Sequence, residues 1–80
     1  MHLTYPELEI LKTVETIQAD GESYVHVEQL VAGLNDPPLA EDRSRLLEGL
    51  RQLKKKDLIE FEVGEGIKIT EGGIVALRMV

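Results

Sequence analysis

Eighty residues with a net charge of −6 leave room for one hydrophobic core, so a single domain over residues 1–80 is expected, and the acidic balance opposes unspecific attraction to nucleic acid. Apolar residues make up 42% of the chain and the only aromatics are Tyr5, Tyr24 and Phe61, so the core has to be built from Leu, Ile and Val. The absence of cysteine removes disulfides, thiolate nucleophiles and cysteine-ligated zinc; with no leader-like start and no apolar run of membrane length, a cytoplasmic protein is expected.

The first element opens at Thr4, an N-cap whose partner in a capping box is Glu7 three residues on, with Leu3 and Leu8 as a hydrophobic staple. Pro6 sits in the first turn, where backbone N–H groups have no helical acceptor to lose. Ile10, Leu11, Val14 and Ile17 carry the helical spacing, and Gly21 suits a left-handed stop, which predicts a helix over about 5–20. Tyr24, Val25 and Val27 predict a short strand over 23–27. Leu30, Val31 and Leu34 predict a second helix over about 27–34, ended by Asn35, Asp36, Pro37 and Pro38 as a stiff connector.

A third helix is expected over about 40–56, with Arg43, Leu46, Leu47, Leu50 and Leu53 on one side and Glu41, Ser44, Arg45, Glu48, Arg51, Gln52 and Lys55 on the other. After Asp57 the period becomes two: Ile59, Phe61 and Val63 alternate with Glu60 and Glu62, Gly64–Gly66 turn the chain, and Ile67 and Ile69 alternate with Lys68. A β-hairpin over about 58–70 is therefore expected. Gly72 and Gly73 end it, and a last short helix over about 73–79 returns to the core.

Charge is distributed unevenly. Residues 1–42 carry nine acids against Lys12 alone, whereas residues 43–58 carry six bases against Glu48 and Asp57. The third helix is thus the one segment that could meet a phosphate backbone favourably.

The order helix, strand, helix, helix, hairpin resembles the winged helix-turn-helix family of prokaryotic and archaeal regulators. The stretch LEGLRQLKKKDLIEFE from Leu47 to Glu62 is similar to the family's junction between recognition helix and wing. IKITEGGIVAL, from Ile67 to Leu77, is similar to the end of its wing, and GESYVHVEQLVAGL, from Gly21 to Leu34, extends the likeness over nearly the whole chain. At the reversal where the family commonly has glycine, this chain has Asp57, whose short polar side chain tolerates positive φ. The resemblance implies an α+β fold with a three-helix core, a short strand, a C-terminal β-hairpin wing and a short terminal helix. It also implies double-stranded DNA as partner and a role in transcription regulation.

In that family the third helix enters the major groove. Carried onto these positions, Arg45 is the candidate base reader, Ser44, Glu48, Arg51 and Gln52 are secondary, and Arg43, Lys55 and, on the wing, Lys68 are the remaining DNA-binding candidates. A purely structural reading competes with this one: Glu41 would pair with Arg45, and Lys54, Lys55 and Lys56 would complement the negative end of the helix. Glu60, Glu62 and Glu65 on the wing, and Asp36, Glu41 and Asp42 at the N-terminal end of the third helix, oppose DNA. They support an alternative, an acidic winged-helix module that binds another protein.

The surplus apolar residues Tyr5 and Leu8 in the first helix and Val75, Leu77, Met79 and Val80 at the C-terminal end suggest a homodimer contact through the first helix and the C-terminal residues. His26 reads as a helix-start residue rather than a ligand, since His2 is the only other histidine and no metal-spaced carboxylates accompany it. Thr70 reads as a cap for the last helix rather than a nucleophile, because nothing nearby could activate it. No enzyme activity, cofactor, metal or small-molecule ligand is expected.

Overall fold

The computed structural model describes residues 3–35, 37–62 and 64–79. Its elements are α1 (Tyr5–Ala19), α2 (Val27–Gly33), α3 (Pro37–Glu41), α4 (Arg43–Lys55), β1 (Ile59–Glu62), β2 (Gly66–Ile69) and α5 (Glu71–Arg78). This is an α+β chain with a two-stranded antiparallel hairpin, compatible with a winged-helix shape. His2, Asp36, Val63 and Val80, on which parts of the sequence reading rest, lie outside the described residues.

α1 is the hub, packed against α2, α4, β2 and α5. Its start follows from the capping box: the Glu7 N–H donates to the Thr4 hydroxyl at 3.4 Å, and Glu7 Oε1 accepts from the Thr4 N–H at 3.2 Å and the Thr4 hydroxyl at 2.8 Å. The helix ends at Asp20, and Gly21 then takes φ +105°, open to glycine and costly for other residues. Ile10, Leu11 and Val14 point into a core completed by Val25, Leu30, Leu34, Leu46, Leu50, Leu53, Leu58, Ile59 and Ile67.

Four expectations change. The last helix begins at Glu71, with Thr70 as its N-cap, so Gly72 and Gly73 lie in its first turn rather than between it and the hairpin. The strand over 23–27 is a single bridge, in which Val25 and Ile67 exchange backbone hydrogen bonds of 2.7 and 2.8 Å; Val27 already belongs to α2, leaving too few extended residues for a ladder. The connector after α2 is a helix: Pro37 and Pro38 occupy its first turn, where a missing N–H costs nothing and the fixed φ is already helical. The third helix consequently begins at Arg43 rather than near Ala40, because Asp42 is extended (φ −104°, ψ 94°) and serves as the N-cap of α4.

The sidedness of α4 also differs from expectation. Leu46, Leu50 and Leu53 are buried, but Leu47 remains 41% exposed and Arg43 turns to solvent. Leu46, Leu50 and Leu53 span a narrow arc of the helical wheel, and the other two lie near or beyond its edge.

The hairpin is fixed to α1 and α4 by specific bonds. The Ile69 N–H donates to Gln18 Oε1 at 2.6 Å, Gln18 Nε2 donates to the Ser23 carbonyl at 3.0 Å, and Lys54 Nζ donates to the Phe61 carbonyl at 3.0 Å. Its register pairs Ile59 with Ile69, Glu60 with Lys68, Phe61 with Ile67 and Glu62 with Gly66. At the reversal before β1, Asp57 takes φ 60°, the only positive φ outside glycine among the described residues. The Thr70 hydroxyl donates to the Asp57 carbonyl at 2.6 Å while accepting from the Gly73 N–H at 3.1 Å, so one side chain both caps α5 and clamps it to the reversal. Gly73 lies against the Leu58 carbonyl so closely that a Cβ would collide with it.

Candidate nucleic-acid interface

Burying Leu46, Leu50 and Leu53 forces the opposite face of α4 outward, and Ser44, Glu48, Arg51 and Lys55 are all exposed there. Arg45 and Gln52 flank that face on the side of the α1 N-terminus, where a shallow groove runs between Thr4 and Pro6 of α1 and Ser44, Arg45, Gly49 and Gln52 of α4. The approach is close because Gly49 has no side chain: a Cβ there would sit 2.7 Å from Ile10 Cδ1.

The candidate cations differ in what they touch. Arg43 is paired with Glu28 of α2 at 2.7 Å, a contact that joins α2 to the start of α4. Arg51 is paired with Glu48 at 3.3 Å, and Glu48 also accepts from Gln52 Nε2 at 3.1 Å, so one carboxylate gathers a donor of the outward face and one of its flank. Both ion pairs are exposed, and exposed pairs are worth at most about 1 kcal/mol, so a phosphate could displace either carboxylate. Arg45 and Lys55 are exposed, and among the described residues neither side chain makes an ion pair or hydrogen bond. Lys68 is exposed on the hairpin, level with Glu60 in the register.

The pairing of Glu41 with Arg45 does not form among the described residues. The extended backbone at Asp42 places Glu41 in a separate helix and destroys the one-turn spacing such a pair needs. Asp42 instead accepts from the N–H groups of Ser44 and Arg45 at 3.1 and 3.2 Å, which occupies the donors a phosphate would seek at this helix end.

The lysine run divides into three roles. Lys54 binds the Phe61 carbonyl, Lys55 faces solvent, and Lys56 reaches the Glu7 carboxylate at 2.6 Å. Burial would raise the Glu7 carboxyl, but hydrogen bonds from Lys56 and from the Thr4 hydroxyl and backbone, with the Lys56 charge, outweigh it and hold Glu7 below its usual value.

Glu60, Glu62 and Glu65 are exposed on the hairpin, which gives this part of the surface a negative character. His26 is the N-cap of α2, and its N–H donates to Gln29 Oε1 at 2.9 Å. Among the described residues no group of three His, Cys, Asp or Glu side chains could hold a metal ion. No helix there is long and apolar enough to cross a membrane.

Three contacts in or beside this surface lie beyond the sequence reading: Glu28 with Arg43, Lys56 with Glu7, and Gln18 with Ile69. The capping box singled out Glu7, but no local pattern points across 49 residues to Lys56. No protein-family model matches the chain, and no curated protein and no solved structure matches it either.

Proposed function

We propose that the chain is a winged helix-turn-helix domain that binds double-stranded DNA as a transcription regulator, with α4 in the major groove. The observation that carries this reading is the outward face of α4, on which Arg45 and Lys55 stand exposed without partners among the described residues. Arg45 is the base reader, because a guanidinium presents two parallel donors that match the two acceptors on a guanine edge. Ser44, Glu48, Arg51 and Gln52 complete the reading face. Arg43, Lys55 and Lys68 meet phosphates, with Arg43 exchanging Glu28 for a phosphate oxygen.

Measuring affinity for duplex DNA across a salt series tests this. Binding that weakens steeply with salt, with a slope of several ions, supports the reading, and no binding even at low salt sinks it.

A second reading is favoured by a different observation. Glu60, Glu62 and Glu65 crowd the exposed hairpin, and Arg43 and Arg51 already have carboxylate partners. On this reading the domain docks a basic surface of another protein through the hairpin, and replacing the three glutamates by glutamine abolishes that interaction while leaving any DNA affinity equal or higher.

A further inference from the structure

The outer side of α5 is apolar where solvent would favour polar residues. Val75 is 50% exposed and Met79 77%, four residues apart and so one turn above the other on the same face. Ala76 and the exposed Gly72 flank them, and Leu58 forms the floor of the shallow depression they border. Leu77, by contrast, packs against the core. The apolar surplus of the C-terminal segment among the described residues is therefore carried by Val75 and Met79.

The charges beside this stripe are arranged with a definite symmetry. Glu71 and Arg78 are both exposed, and among the described residues neither side chain has an ion-pair partner. They are seven residues apart, close to two turns, and therefore lie on the same flank of the stripe at opposite ends of the helix. When two such helices face each other antiparallel about a two-fold axis, the same flank of each meets the other with the ends exchanged. With Val75 at the centre, Glu71 of each copy then lies beside Arg78 of the other, and Gly72 lies opposite the second copy's C-terminal turn, where its lack of a side chain permits close approach. A parallel pairing instead brings like ends together with the flanks on opposite sides, and forms neither contact.

We propose that α5 is a self-association surface: a second copy of this chain packs its α5 antiparallel across Val75 and Met79, and reciprocal Glu71–Arg78 ion pairs set the direction. The surface is separate from the α4 face, so the proposal stands or falls independently of what α4 binds.

Sedimentation equilibrium of the whole chain, from micromolar to millimolar protein, tests it. A reversible monomer–dimer equilibrium is expected. Val75→Lys, at an exposed position that leaves the core intact, should weaken it by about tenfold or more, as should Glu71→Arg alone or Arg78→Glu alone, each of which sets like charges against each other. The deciding arm mixes the two charge variants. One then carries only positive and the other only negative charge on this flank, so the mixture should form a heterodimer although neither variant dimerises well by itself. Local damage to α5 would not be repaired by mixing. A wild-type chain that stays monomeric at millimolar concentration, a dimer indifferent to Val75→Lys, or a mixture no more associated than its components would each overturn the proposal.

Discussion

Lys56 Nζ donates to the Glu7 carboxylate at 2.6 Å, and this contact joins the first turn of α1 to the C-cap of α4 across 49 residues of chain. The carboxylate is only 6% exposed and is also bonded to the Thr4 hydroxyl and N–H, so its lone pairs are well used inside the fold. One side chain thereby caps the start of α1 and ties the C-terminal end of α4 to it.

Glu7→Gln should destabilise the domain at neutral pH by about 2 kcal/mol, since hydrogen bonds to a charged group are worth more than neutral ones. The pH dependence has a definite sign. Because the folded-state value of Glu7 is lowered, its contribution is complete above the unfolded carboxyl value and is lost as pH falls through the folded one. Denaturation of wild type and Glu7→Gln should therefore give curves whose gap is complete above about pH 5 and narrows progressively as pH falls below the usual carboxyl value. A gap that stays constant down to acid pH would show that the charge of Glu7 contributes nothing.

Gly73→Ala should cost about 1–3 kcal/mol, as overpacking does, because the added methyl group meets a backbone carbonyl rather than a flexible side-chain tip. Urea titration checks the cost. Gly64→Ala provides a comparison without a collision: that site is open, and strain from its φ of +91° is the only penalty there.

Much of the fold was legible locally, because its signals act over one or two turns. The capping box at Thr4 and Glu7, the stop at Gly21, the reversal at Asp57 and the cap at Thr70 all lie where those residue types implied them. The break at Asp42 was hidden by the fact that Glu41 and Asp42 suit the start of one long helix as well as the junction of two. Spacing alone places Leu47 on the core side, but burial is decided by how much of the wheel its neighbours cover. The candidate site was legible as a list of residues on one helix and not as a set of partners, since Glu28 and Arg43 meet only in three dimensions.

Glu48→Gln should tighten DNA binding about threefold at low salt. The carboxylate holds Arg51 and Gln52, and its removal frees both donors while deleting a negative charge from the face that DNA would approach. Fluorescence anisotropy on a labelled duplex of arbitrary sequence checks this, and binding unchanged by the substitution would place DNA elsewhere on the molecule.

Arg45→Ala and Lys55→Ala should fail in different ways. Loss of Arg45 should cost about 1–3 kcal/mol on a preferred site and flatten the sequence preference, whereas loss of Lys55 should weaken all sequences alike and lower the salt slope by about one ion. Selection of bound sequences from a random pool, followed by salt titrations of the two variants, separates these outcomes.

Amide chemical shifts followed during titration with duplex DNA at low salt test the central claim most directly. If α4 is the reading helix, saturable changes concentrate from Ser44 to Lys55 and lessen as salt is raised. Changes confined to the hairpin, or an unperturbed spectrum at DNA concentrations well above that of the protein, would contradict the account.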